Sequence, residues 1–133
     1  MTTKANATIK IEKWDEQTFH EATGAGKLTR VSVTKSYAGD LQGTGTLEYL
    51  MAYGDGLVTF VGLERVVGHL GGRSGSFVLQ INGSYVGGEP NESFSVLPDS
   101  ATGELIGLRG CGGFKPGPQE SYAMNFEYEF ATK

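Results

Sequence analysis

Residues 56–88, GLVTFVGLERVVGHLGGRSGSFVLQINGSYVGG, restrict what this chain can become more than any other stretch. Two strand-like runs meet at Gly71-Gly72, and a two-residue glycine connection suits the primed hairpin turns that need positive φ. With that turn, Leu70 pairs with Arg73, Gly68 with Gly75, Val66 with Phe77, Glu64 with Leu79, Gly62 with Ile81, Phe60 with Gly83 and Val58 with Tyr85. Cross-strand partners share a face. One face is therefore aromatic, aliphatic and glycine, with Glu64 in its middle. The other carries His69, Ser74, Ser76, Arg65, Gln80, Asn82, Thr59 and Ser84, mixed with Leu57, Val61, Leu63, Val67 and Val78.

Two flanking turns extend the pattern. Gly87-Gly88 as a two-residue turn pairs Ile81 with Phe94 and Leu79 with Val96. Gly54-Asp55 as another pairs Met51 with Val58, Tyr49 with Phe60 and Leu47 with Gly62. All three turns place the large apolar residues on one shared face, and a one-residue slip at any of them would break the agreement.

The remaining strands follow from alternation. Residues 4–14 form the first, with Ile9 and Ile11 on one face, and 15–27 read as a polar connection with room for one helical turn. In 28–38, Val31, Val33 and Tyr37 share a face with Lys35. At Gly39-Asp40 two registers compete. A three-residue turn sets Val33 beside Leu47 and Val31 beside Tyr49, in agreement with the apolar face; a two-residue turn does not, unless a bulge near Gly43 corrects it. Strands then run over 44–53, 57–70, 73–86 and 91–97 until Pro98, which cannot donate to a ladder. Residues 99–107 read as a tight helical turn, 108–114 as a glycine-rich strand, KPGPQE at 115–120 as a loop, and 121–130 as the last strand, with Tyr122, Met124, Phe126, Tyr128 and Phe130 on one side.

The expected fold is all-β, a closed eight-stranded antiparallel meander barrel, with residues 1–133 as a single domain. Closure buries the strand edges, and a barrel of about eight strands either fills with side chains or holds one small ligand in a lipocalin-like cavity.

Composition excludes several functions. Eleven Lys and Arg against 15 Asp and Glu leave a charge of −4, so no nucleic-acid footprint is expected. No apolar run approaches the roughly 20 residues of a membrane-spanning helix, residues 1–10, MTTKANATIK, lack the apolar region of a secretory signal, and the lone Cys111 cannot form an internal disulfide. A cytoplasmic protein without cofactor is the expectation.

EYLMAY at 48–53, GLERVVGHLGGRSGSFVLQ at 62–80 and TGELIGLRGCGGF at 102–114, with WDEQ at 14–17 and KLTRVSVTK at 27–35, closely resemble a bacterial family of small proteins known only as a domain of unknown function. That family is grouped by fold with the allene oxide cyclase barrel and, more distantly, the dirigent proteins. The resemblance implies the same closed meander and brings no established activity, because fold does not carry chemistry.

Glu64 is the sharpest chemical candidate. A carboxylate on the inward face loses hydration, which raises its pKa and suits it to acid–base work. The structural alternative is pairing with Arg30, Arg73 or a tyrosine hydroxyl. Tyr49, Tyr53, Tyr85 and Tyr128 bring hydroxyls to a face shared with Phe60, Phe77, Phe94 and Phe126, a mix that suits an amphipathic ligand and equally an aromatic core. The expected ligand-binding set is Tyr49, Met51, Phe60, Glu64, Phe77, Tyr85, Phe94, Phe126 and Tyr128. His20 and His69 lack neighbours at metal spacing, so no metal site is expected. Cys111 lacks a histidine partner, Ser74 and Ser76 sit in a hairpin rather than a nucleophile elbow, and the glycine runs lead into no helix that could bind phosphate.

Three functions compete. The favoured one is a module binding a small apolar or amphipathic molecule in the barrel lumen. The others are an isomerase or cyclase using Glu64 and a tyrosine as acid and base, and a structural protein forming homo-oligomers through its outer Val/Leu face.

Overall fold

The computed structural model describes residues 2–87, 89–116 and 121–131. Among them nine strands follow one another: β1 Thr3–Ala22, β2 Gly26–Gly39, β3 Leu41–Tyr53, β4 Leu57–Leu70, β5 Arg73–Val86, β6 Glu89–Val96, β7 Thr102–Gly103, β8 Leu108–Pro116 and β9 Ser121–Phe130. Each pairing is antiparallel. The ladder runs from β4 back through β3, β2 and β1 to β9, β8, β6 and β5, and β5 pairs with β4. Eight long strands thus form a ring of hydrogen bonds, and the two-residue β7 attaches to β5. Among the described residues no helix is long and apolar enough to cross a membrane.

The central hairpin has the expected register throughout, from Leu70 with Arg73 to Val58 with Tyr85. Gly71 and Gly72 have φ of 59° and 84°, the left-handed pair a type I′ turn requires. Ile81 meets Phe94 and Leu79 meets Val96 as expected, although Gly88 of that turn lies outside the described residues, as do 117–120 of the proline loop. At Gly39-Asp40 the three-residue alternative holds: Val33 faces Leu47 and Val31 faces Tyr49.

Three expectations are corrected. Gly54-Asp55 is not a two-residue turn. The Gly54 amide donates to the Leu57 carbonyl at 2.8 Å and Tyr53 pairs with Val58, so Met51 meets Phe60, Tyr49 meets Gly62 and Leu47 meets Glu64. The ladder moves by two residues, which leaves every side chain on its expected face. Residues 15–22 are strand rather than loop, pairing with β2 up to Ala22–Gly26 through one register shift between Thr18 and His20, after an earlier one between Ile11 and Lys13. They stand beyond the ring with both faces largely solvated, so they carry no alternation for a sequence to reveal. Residues 99–107 form β7 and single turns, with the Leu105 amide donating to Thr102 and the Leu108 amide to Leu105, instead of a helical turn.

That last segment has a clear task. β6 covers only the Leu79–Val86 half of β5. The edge left open is closed by the Leu97 amide donating to Val78, the Val78 amide donating to Ser100 Oγ, and β7 pairing with Gly75 and Ser76. Val78, expected on the outer face among exposed neighbours, is consequently buried. Leu105 is buried with Leu41 and Leu70 at this end of the ring. The opposite end is bordered by Trp14, Tyr53, Tyr85 and Tyr122, all of which keep some exposure.

Candidate functional site

Two inward-facing polar groups organise the interior. The deeper is Glu64, which is fully buried. Its Oε1 accepts from Lys35 Nζ at 3.2 Å and its Oε2 accepts from the Tyr37 hydroxyl. Lys35 also lies 4.4 Å from the centre of the Phe114 ring. Space for the carboxylate comes from Gly45, where a Cβ would collide with Glu64 Oε2. Burial, and then the neighbouring charge of Glu64, push the Tyr37 hydroxyl well above its ordinary pKa, so it stays a neutral donor.

The second group sits nearer the open end. A cavity of about 30 Å³ is walled by Trp14, Tyr49, Met51, Phe60, Tyr85, Tyr122 and Phe114, with Ile9, Ile11, Val33 and Pro90 around them and Lys35 and Glu92 as its charged members. That is room for about two waters. Glu92 Oε1 accepts from the Tyr49 hydroxyl at 2.5 Å. Burial raises the Glu92 pKa, the nearby Lys35 and the Tyr49 hydroxyl pull against the rise, and Glu64 adds to it. Trp14, Tyr49, Phe60 and Tyr85 form a continuous line of rings, with centroids 6.4, 5.1 and 5.7 Å apart in succession. Burial, followed by the influence of Tyr122, pushes the Tyr85 hydroxyl up to about 12. At the rim Glu16 accepts from Thr29 Oγ1 at 2.8 Å, from Trp14 Nε1 at 3.3 Å and from the Tyr53 hydroxyl.

The sequence family described as "Protein of unknown function (DUF3224)" matches residues 5–128. The chain belongs to this family. A crystal structure of a DUF3224 protein of unknown function from Shewanella oneidensis MR-1 is similar over 100% of both chains, with a TM-score of 0.89 at 29% identity. Among curated proteins none matches this chain.

In this DUF3224 chain all nine residues of the expected ligand-binding set face inward, and they divide into two groups. Tyr49, Met51, Phe60 and Tyr85 line the cavity. Glu64, Phe77, Phe94, Phe126 and Tyr128 lie deeper in packed core. There Phe126 stands 6.2 Å from Phe77, 5.4 Å from Phe94 and 5.4 Å from Tyr128, ring centre to ring centre. Glu64 takes neither arginine as partner: Arg30 pairs with exposed Glu48 and Arg73 lies over the Phe130 ring. Its cation is Lys35, whose position on the Val31–Val33–Tyr37 face was legible. Glu92 escaped notice, although it stands two residues before Phe94 and shares its face by parity. Trp14 escaped because its neighbours on β1 show no buried face. His20, His69 and Cys111 are exposed, and among the described residues no three metal-ligating side chains come together.

Proposed function

We propose that this chain is a binding module whose ring of strands works as a closed barrel of the allene oxide cyclase kind, and that its cavity seats the polar head of a small amphipathic molecule. The eight long strands, each hydrogen-bonded to two neighbours, support the barrel reading. The observation that carries the binding reading is the mostly buried Glu92–Tyr49 pair at a cavity otherwise walled by aromatic and aliphatic side chains. Ligand sites combine apolar walls with a few fixed polar groups in this way. The space suits a head group, so the ligand's body would lie against Trp14, Tyr85 and Tyr122 at the rim. A cytoplasmic setting fits a chain whose one cysteine is exposed.

Native mass spectrometry of protein isolated from cells under mild conditions tests this. A retained small molecule that is lost in Phe60→Ala is the expected result. Bare protein in every preparation, with Trp14 emission unmoved across a library of small amphipathic compounds, would reject it.

An isomerase built on Glu64 and Tyr37 draws less support, because neither residue borders the cavity. A second reading rests on a separate observation. Leu50, Val61, Leu63 and Val67 on the outer face of β3 and β4 are each at least 52% exposed. We propose self-association through this face as the alternative working surface.

A further inference from the structure

The charges inside the ring do not balance. Three charged side chains face the interior around the cavity and its floor: Lys35, Glu64 and Glu92. Lys35 and Glu64 form an ion pair at 3.2 Å, and Tyr37 satisfies the second oxygen of Glu64. Glu92 has the Tyr49 hydroxyl as partner, and among the described residues no cationic side chain stands within 4.0 Å of it. At the rim, Glu16 is held by three neutral donors, while Lys27 lies 4.7 Å from the centre of the Tyr53 ring. The interior is thus one cation short beside the cavity.

Its walls are suited to supply what is missing. The faces of Trp, Tyr and Phe attract cations through their quadrupoles, and more strongly where water is excluded. Trp14, Tyr49, Phe60 and Tyr85 present four such rings in an unbroken line next to Glu92. The cavity of about 30 Å³ takes an ammonium group and little more. An anion would have to settle beside two carboxylates with one lysine already committed to the deeper of them.

We propose that the cavity binds the protonated amino group of a small primary amine with an apolar or aromatic body, using Glu92 as counter-ion. This assignment rests on the binding reading above and adds the ligand's charge to it. Tyr49 orients the Glu92 carboxylate by donating to Oε1, which leaves the other oxygen for the ammonium. The Lys35–Glu64 pair gives this region a fixed, nearly neutral floor, so the net attraction comes from Glu92. Full N-methylation of the amine enlarges the head beyond the space available, so trimethylated analogues bind more weakly than the primary amine.

Trp14 is the only tryptophan in the sequence and forms part of the cavity wall, so its fluorescence reports occupancy directly. The test titrates the unmodified protein with phenethylamine, with neutral 2-phenylethanol and with anionic 3-phenylpropionate, which share the ring and the two-carbon tether. Phenethylamine is expected to saturate at a concentration at least tenfold below that of the alcohol, with the acid weakest. Glu92→Gln, which still accepts from Tyr49, is expected to bring the amine to the level of the alcohol and leave alcohol binding as it was. If alcohol or acid binds as tightly as the amine, or if Glu92→Gln keeps the amine preference, the charge assignment falls and the binding reading survives. If none of the three changes Trp14 emission or the amide NMR spectrum at millimolar concentration, both fall. The comparison of the three probes on unmodified protein does not depend on the variant folding.

Discussion

At the scale of single residues, the interior keeps an ion pair where a hydrocarbon core would be simpler. Burying two charges costs several kcal/mol each before their mutual attraction is counted, so such pairs often add little net stability. Removing one partner is another matter, because the survivor is left charged and dry. Glu64→Leu is therefore expected to lower the unfolding free energy by about 3–5 kcal/mol, and Lys35→Met by a similar amount. The double variant is expected to recover most of that loss, by about 2 kcal/mol or more relative to either single change. Urea denaturation of the three variants measures this directly; additive losses would mean that the two side chains act independently. Gly45 belongs to the same arrangement, since any side chain there would collide with the Glu64 carboxylate. Strand parity alone brought Glu64 inside and set Lys35 on the matching face. Their meeting was not legible, because β2 and β4 are not adjacent and β3 lies between them. Parity assigns a face, whereas this contact passes over Gly45 on β3, the partner of both Lys35 and Val66, where only a glycine leaves room for the carboxylate.

At the scale of elements, the strands whose inner face is buried were readable and the β1–β2 extension was not. In β9, Met124, Phe126 and Tyr128 alternate with exposed Ala123, Asn125 and Glu127, and the sequence shows it plainly. In β1 the residues from Asp15 to Glu21 are exposed except for half-buried Glu16, so hydropathy carries no period there. Glu16 fastens this extension by accepting from the buried Thr29 on β2 and from Tyr53 on β3. Against the rise that its partial burial would cause, the hydrogen bonds from Tyr53, Thr29 and Trp14 hold the Glu16 carboxyl below its ordinary pKa. The sign follows from proton linkage: a depressed folded-state value contributes stability above the unfolded-state value, and this is lost as pH falls through the folded one. Glu16→Ala is expected to leave Thr29 without its acceptor and to speed amide exchange across residues 15–28, with the rest of the ring still protected. The difference from the parent protein should be full at neutral pH and shrink once acid protonates Glu16. Unchanged exchange at neutral pH would show that backbone pairing alone holds the extension.

At the scale of the whole molecule, ring closure settles where apolar surface can remain exposed. Closing β1 against β9 and β4 against β5 leaves residues 11–22 of β1, among the described residues, as a long edge paired on one side, and the segment after β6 covers the gap beside the first half of β5. What remains is a face. Leu50 pairs directly with Val61, and Leu63 and Val67 continue along β4 on the same side. The polar 15–27 segment does not cover them, because it extends β1 and β2 past the end of the ring. β4 and β3 are neighbours near the middle of the chain, and the outward run Leu57, Val61, Leu63, Val67 is interrupted only by Thr59 and Arg65. A second copy related by a two-fold axis would bring Leu63 and Val61 against the same residues of its mate, as an isologous contact requires. Light scattering at tens of micromolar is expected to give twice the monomer mass for the unmodified protein. Leu63→Lys sets like charges against each other at the centre of that contact, and it should return the mass to that of a monomer without lowering the melting temperature of the dilute protein. A monomer at every concentration would remove self-association as a role for this face.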